Sequence, residues 1–200
     1  MTAAEVAAAL RERQSAAPGA EASRERRERE RAEHARLLDE GQAEILADLR
    51  AIGIDVPSLW HLAAGDGASG AVFEVLLRHL GGAHPDLIVE GLGDAMAGPQ
   101  ARPYWAELRA LLASTERDVV RDQTVLILGS CAQRAQYDDL LEMVADEGLG
   151  DSRIFLLGPL NRIGNRIEAG RGRAVVGRFA NHPELGVEAA RILAGRGRRG

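Results

Sequence analysis

The chain has 200 residues, a formal net charge of −5 and few aromatic side chains. Its length suits one domain with an appendage, and its scarcity of aromatic residues favours closely packed helices over a β-sandwich. All 25 basic residues are arginine, which excludes the chemistry of a phosphate-loop lysine or a Schiff-base lysine. The single cysteine, Cys131, excludes an internal disulfide and a cysteine-rich zinc site.

Charge is distributed unevenly along the chain. Residues 51–150 hold 6 arginines and 15 acidic residues, a net charge of −9, whereas residues 151–200 hold 10 arginines and 4 acidic residues, a net charge of +6. The acidic middle disfavours nucleic acid along most of the surface and attracts a basic partner. Because no apolar run reaches the roughly 18 residues of a membrane span and the start does not have the charge order of a secretory signal, we expect a cytoplasmic protein without membrane contact.

The first part of the chain is a charged arm. Residues 1–34 are rich in arginine and glutamate, and the run SRERRERERAEHARLL, which begins at Ser23, places acids and bases four residues apart, as in a solvated helix. We expect this arm to be helical in part and partly disordered. Beyond it, Ile45 and Leu49 begin an apolar helical face, so the sequence predicts a folded domain at residues 35–194 and a basic tail at residues 195–200.

Four segments of the domain share one plan. They are DLIVEGLGDAM, DQTVLILGSCA, DSRIFLLGPLN and ELGVEAARILA, which begin at Asp86, Asp122, Asp151 and Glu184. Each opens with an acidic residue, as helix N-termini favour, and places apolar residues three and six positions later. An amphipathic segment precedes each one, at residues 71–80, 102–114, 137–147 and 172–181. The plan predicts pairs of helices at a period of about 33 residues, with a longer loop at TERDVVRD before the second segment.

A phosphate-binding turn is the alternative interpretation of the apolar run that leads into Gly129. The segments GLGDAMAG and GRGRAVVG each contain G-x-G, but their next glycine follows five residues later. A dinucleotide-binding turn needs that glycine three residues later. The shared spacing therefore favours helical repeats.

The segments IDVPSLWHLAAG, VLLRHL, ARPYWAELRALL and SRIFLLGPLNRIG resemble HEAT-like helical repeats. The chain is similar, over about residues 48–194, to small HEAT-like proteins of high-GC bacteria, most of them uncharacterised. This resemblance implies an all-α fold, a short right-handed α-solenoid of HEAT-like helical hairpins with a charged helical N-terminal arm. It also implies that the second helix of each pair lines a concave, ligand-facing surface.

Six residues are candidates for contact with a partner. Outward positions on the inner helices supply four of them: Glu90, Asp94, Arg153 and Arg162. Tyr104 and Trp105 follow Pro103 at a predicted helix start, where large aromatic side chains can be partly exposed and serve an interface.

No motif predicts a catalytic or metal site. His79 and His84 are five residues apart, whereas two ligands on one helix face are four apart, so we expect a packing role for His79. Asp138, Asp139 and Glu142 form the best carboxylate cluster, which is expected to be solvated on a surface helix. Cys131 is expected to be a buried, inert thiol.

The favoured hypothesis is a non-catalytic protein-binding scaffold or adaptor that needs no cofactor. Its acidic middle would dock another protein with a basic surface, for example a toxin. The alternative is a nucleic-acid-binding or DNA-repair HEAT-like protein that uses the arginine-rich C-terminal end, with Arg166, Arg171, Arg173 and Arg178 as phosphate contacts. A small enzyme based on the carboxylate cluster is the third hypothesis.

Overall fold

A computed structural model describes residues 20–63 and 70–195, and these residues form ten α-helices, three 3₁₀-helices and no β-strand. The α-helices are α1 (Ala20–Ala51), α2 (Leu59–Ala63), α3 (Gly70–Leu80), α4 (Asp86–Met96), α5 (Trp105–Ser114), α6 (Asp118–Cys131), α7 (Tyr137–Ala145), α8 (Ile154–Ile167), α9 (Arg171–Gly177) and α10 (Gly186–Leu193). The 3₁₀-helices are Pro99–Tyr104, Arg134–Gln136 and Glu147–Arg153. The predicted all-α class is confirmed. Within the described ranges, no helix is both long and apolar enough to cross a membrane.

The chain divides into two compact units, residues 1–41 and 42–200, and the boundary falls inside α1. In the first unit, α1 consists mostly of alanine, arginine and glutamate, which have high helix propensity. Arg36 pairs with Glu33 and Glu40 along the same exposed surface. The bounds of the predicted arm, residues 1–34, fall within this unit. Residues 1–19, like residues 196–200 of the predicted tail, lie outside the described part of the chain.

In the second unit, α1 acquires a buried stripe. Ile45, Leu46 and Leu49 are buried, at the three- and four-residue spacing of one helical face. Buried Gln42 continues this stripe, and its Oε1 accepts a hydrogen bond from the backbone N–H of Leu59 at 3.1 Å. The stripe thus attaches the end of α1 to the start of α2.

Three helices form the centre of the second unit. Helix α4 packs against α6, and α6 packs against α8. The remaining helices add to this row: α2 and α3 contact α4, α5 contacts α6, and α7, α9 and α10 contact α8. The core residues of the row are aliphatic, as Ile88, Leu92, Val125, Leu128, Leu156 and Leu160 show. Helices α4, α6 and α8 contain all or most of the first three segments that share the repeating plan, so the apolar periodicity identified these buried helices correctly.

Three of the four predicted helix starts, Asp122, Asp151 and Glu184, differ from the observed ones, and Glu184 lies two residues before α10. Asp86 opens α4 as expected, but α6 begins at Asp118, so most of the predicted loop TERDVVRD is helix and Asp122 lies in its second turn. The reason is local: the Thr115 hydroxyl accepts a hydrogen bond from the Arg117 N–H, which closes a short turn, and Asp118 supplies the first-turn acid. Asp151 lies in a 3₁₀-helix before α8.

Candidate functional site: an arginine-lined cleft

A cleft with a volume of about 620 Å³ lies beside the C-terminal end of α6 and the second half of α8. We name it the arginine cleft. Its lining residues are Pro99, Arg102, Ser130, Ala132, Gln133, Arg134, Ala135, Arg162, Ile163 and Arg166. Four of these residues are arginines and none is acidic, so the cleft has a strongly positive lining within an acidic chain.

The four arginines come from three separate parts of the chain. Arg162 and Arg166 are four residues apart on α8, so they share one face of that helix. Arg134 opens the 3₁₀-helix that follows α6. Arg102 belongs to the 3₁₀-helix that follows α4, and its Nε lies 3.4 Å from the carbonyl oxygen of Cys131. Packing of α4, α6 and α8 in one row therefore brings the four guanidinium groups around one cleft.

Ser130 fixes the wall of the cleft that carries Arg102. Its hydroxyl accepts a hydrogen bond from the Gly98 N–H at 2.7 Å and donates one to the Ile127 carbonyl oxygen at 2.7 Å. Gly98 has a φ of 147°, a conformation that side chains rarely adopt. A glycine turn and one serine thus join the end of α4 to the end of α6.

Electrostatically, the cleft is suited to an anion. Arg134, Arg162 and Arg166 are exposed, and their guanidinium groups form no ion pair or hydrogen bond with the described residues. Guanidinium groups that are close together repel one another, and each can donate two parallel hydrogen bonds to a carboxylate or phosphate. An anionic group would relieve this repulsion.

The cleft lies at one end of a longer surface, which we name the three-helix face. Its residues are Glu90 and Asp94 on α4, Asp122, Gln123, Leu126 and Ser130 on α6, and Phe155, Pro159, Arg162 and Arg166 on α8. Within each helix these partly or fully exposed residues recur every three or four positions, so they form one stripe. Gly93 packs against the Gln123 side chain and Gly129 against the Phe155 backbone, which places the stripes side by side.

Charge changes along the three-helix face. The α4 stripe is acidic, with Glu90 and Asp94, and the α8 stripe is basic, with Arg162 and Arg166. Between them lies Asp122, whose pKa is raised above its ordinary value chiefly by burial. Arg121 opposes this rise, whereas the nearby carboxylate of Asp118 adds to it. The face therefore presents opposite charges at its two ends.

Two of the predicted partner-binding residues, Tyr104 and Trp105, have aromatic side chains that contact other residues of this protein. The Tyr104 ring stacks on Phe73, with 4.3 Å between the ring centroids, and its hydroxyl donates to the Gly70 carbonyl oxygen at 2.9 Å. The Trp105 indole N–H donates to the Asp139 carboxylate at 2.9 Å. Both residues are half-buried.

Arg153 is not accessible to a partner. It is only 3 % exposed, and its guanidinium donates hydrogen bonds to the Gly150 carbonyl oxygen and to Glu184, each at 2.9 Å. The physical reason is that Arg153 ends the 3₁₀-helix before α8, where its guanidinium pairs with Glu184 instead of reaching solvent. Arg153 therefore connects the preceding 3₁₀-helix to the segment before α10. Of the six candidates, the structure places Glu90, Asp94 and Arg162 on the three-helix face.

The carboxylate and thiol candidates have ordinary surroundings. Asp138 and Glu142 are exposed on α7, as expected for solvated carboxylates. Asp139 is half-buried and bound to Trp105. Cys131 is buried, and burial raises the pKa of its thiol to about 11, which suppresses the reactive thiolate.

Sequence reasoning missed two members of the arginine cleft and one group with metal-ligand chemistry. Arg102 and Arg134 lie in the acidic middle of the chain, and no local pattern connects them with α8. The group with metal-ligand chemistry is Glu44, His79 and His84, whose possible ligand atoms lie within 4.8 Å of one another. The spacing argument against a metal site assumed that both histidines lie on one helix, but His84 follows α3 in a turn.

In comparisons with known proteins, no family model matches the chain, and neither the curated proteins nor the solved structures give a significant match. The HEAT-like resemblance therefore rests on the sequence pattern alone.

Proposed function

We propose that this protein is a non-catalytic scaffold that holds another protein on its three-helix face, with an acidic group of that partner in the arginine cleft. The observation that carries the proposal is the convergence of Arg134, Arg162 and Arg166, none of which is neutralised within the described residues. Exposed charges that are left without partners on a rigid helical frame are typical of a recognition surface.

We also infer that α3–α10 form a HEAT-like α-solenoid. Support comes from the order of the helix contacts, in which α4, α6 and α8 follow one another and the intervening helices pack beside them. In such an array, successive inner helices present one continuous ligand-facing surface. The three-helix face corresponds to that surface.

The partner that fits this face carries charges of both signs. The expectation of a basic partner applies to the α4 end, where Glu90 and Asp94 are exposed. The α8 end requires acidic side chains. A partner segment with basic residues at one end and acidic residues at the other would therefore bind in a single orientation, because the reversed orientation places like charges together.

Nucleic acid is the second candidate partner, and the same cleft favours it, because guanidinium groups bind phosphate oxygens in the same bidentate geometry as carboxylates. The acidic α4 end restricts this alternative to a short contact, since it would repel an extended phosphate backbone. Steep salt dependence and sensitivity to nuclease distinguish the two candidates.

The test uses the full-length chain, immobilised, with three versions compared in a bacterial lysate. Arg162→Glu reverses a charge in the cleft, and Arg178→Glu reverses an exposed arginine outside it whose guanidinium likewise has no partner among the described residues. We expect one protein, identified by mass spectrometry, to bind the wild type and Arg178→Glu in the presence of nuclease.

The same protein should bind Arg162→Glu at least about tenfold more weakly when its affinity is measured after purification, because a charge-assisted hydrogen bond contributes about 1.5–3 kcal/mol. Capture that disappears with nuclease would favour the nucleic-acid candidate. Equal affinity of all three versions for a purified partner would contradict the use of the cleft.

A further inference from the structure

Two histidines and two carboxylates meet where the second half of α1 approaches the end of α3. Nδ1 of His79 lies 2.9 Å from Nε2 of His84, and Nε2 of His79 lies 3.0 Å from a carboxylate oxygen of Asp48. Glu44 lies one helical turn before Asp48, and its carboxylate is within 4.8 Å of both imidazole ligand atoms. These residues all belong to the second unit and are separate from the arginine cleft.

The backbone that carries the two histidines is held in place. His79 is buried in the last turn of α3, and the Gly82 N–H donates to its carbonyl oxygen at 2.9 Å, which turns the chain back. The guanidinium of Arg117 then donates to the carbonyl oxygens of Gly82 and His84 at 2.7 and 2.8 Å. The turn that returns the His84 ring to His79 is therefore fixed by a residue of the α5–α6 connection.

We propose that Glu44, His79 and His84 bind a divalent transition-metal ion of the zinc type. Two imidazole nitrogens and one carboxylate are a known zinc ligand set, in which the fourth position stays open to water or another ligand. Zinc ligands at about 2.0–2.2 Å in a tetrahedron are separated from one another by roughly 3–3.6 Å. The two imidazole nitrogens are already near this separation, and the exposed Glu44 side chain can close the remaining distance by a change of rotamer.

Asp48 has the position of an outer-sphere carboxylate. It binds the His79 nitrogen that faces away from His84, so a proton on that nitrogen leaves the lone pair of Nδ1 directed at the ion. A carboxylate in this position orients the ring and fixes its tautomer. Arg78 donates to the same Asp48 oxygen at 2.8 Å and keeps this carboxylate in place.

Bound metal would connect α1 to the α3–α4 turn. Glu44 lies on α1, His79 on α3 and His84 in the turn, so one ion would cross-link three segments of the second unit. Because an ion that binds only the folded state stabilises it, zinc should raise the melting temperature in a concentration-dependent way.

The test uses the full-length chain without a histidine tag, after metal has been removed with a chelator. Zn²⁺ affinity is measured by competition with a chromophoric chelator, and Co²⁺ is used as a spectroscopic probe of tetrahedral coordination. We expect one ion per wild-type chain, an intense visible absorption with Co²⁺, and an increase in melting temperature with Zn²⁺.

The variants His84→Gln and Glu44→Gln each remove one ligand and avoid the buried His79. Both should reduce the Zn²⁺ affinity more than Asp48→Asn does. Because Asp48 is an outer-sphere residue, we expect Asp48→Asn to reduce the affinity about 10–100-fold. His61→Ala, an exposed histidine on α2, is the matched control and should bind zinc as the wild type does. Circular dichroism without metal checks that every variant is folded.

Two results would overturn the proposal: no stoichiometric Zn²⁺ binding by the wild type, or an affinity that neither His84→Gln nor Glu44→Gln reduces. Arg162→Glu should bind zinc normally, because it alters only the arginine cleft. The metal site and the proposed scaffold function can therefore fail independently.

Discussion

Gly129 of α6 packs directly against the backbone of Phe155 in α8: a Cβ atom on Gly129 would lie 2.7 Å from the Phe155 carbonyl oxygen. A backbone atom cannot rotate away as a flexible side chain can, so any larger residue at position 129 must push the two helices apart. This close approach sets the spacing between α6 and α8, and with it the width of the three-helix face.

Replacing Gly129 by alanine should therefore destabilise the protein. We expect Gly129→Ala to lower the free energy of unfolding by about 1–3 kcal/mol, because overpacking outweighs the better helix propensity of alanine. Gly177→Ala is the matched control: it lies in α9 with nothing within 4 Å of the added Cβ, so it should raise that free energy by up to about 1 kcal/mol. Denaturant unfolding of both variants checks the prediction, and equal effects would contradict it.

The ion pair between Arg153 and Glu184 should contribute measurably to stability. Glu184→Gln leaves the buried Arg153 guanidinium without its counter-charge. Since the Glu184 side chain is 45 % exposed, we expect a loss of about 1–2 kcal/mol in the free energy of unfolding, less than for a fully buried pair. Asp55→Asn removes the partner of Arg50, both of them exposed, and should change stability by at most about 0.5 kcal/mol. Similar losses in the two variants would argue against this role.

The hydrogen bond between Trp105 and Asp139 should stabilise the contact between α5 and α7. Trp105→Phe removes the indole N–H and keeps most of the apolar surface, and we expect it to lower the free energy of unfolding by about 1–2 kcal/mol. A double-mutant cycle with Asp139→Ala, which removes the acceptor, isolates the pair, because the two changes should not be additive. A coupling free energy near zero would show that the bond contributes nothing.

Cys131 should make stability depend on pH in the alkaline range. Its pKa in the fold is raised from an ordinary 9 to about 11, so the folded state favours the protonated thiol. This contribution is fully present below pH 9 and is lost as the pH rises from 9 to about 11, with a total of about 1–3 kcal/mol. We expect the wild type to lose more stability over this range than Cys131→Ala, as measured by denaturant unfolding at several pH values. A constant difference between the two proteins would contradict the prediction.

Much of the secondary structure follows from the sequence because its causes are local. Apolar residues at three- and four-residue spacing identified α3, α4 and α7, with α4 beginning at the predicted Asp86. The predicted start of α6 was wrong because several acidic residues lie near it. A hydrogen bond in the preceding turn makes Asp118, rather than Asp122, the first-turn acid.

The candidate site was less predictable. Exposure of Glu90, Asp94 and Arg162 follows from their positions on helices whose opposite faces are apolar. Burial of Arg153 does not follow, because it depends on Glu184, which lies far along the chain and carries the opposite charge.

By itself, the sequence determined which segments are helical and which of their faces are buried, since helix propensity and apolar periodicity act over neighbouring residues. Only the tertiary structure decided which polar side chains meet. Arg102 and Arg134 join Arg162 and Arg166 because α4, α6 and α8 pack in one row, and His84 reaches His79 and Glu44 because Arg117 holds the turn after α3. Such encounters depend on contacts between residues far apart in the chain, which local spacing does not encode.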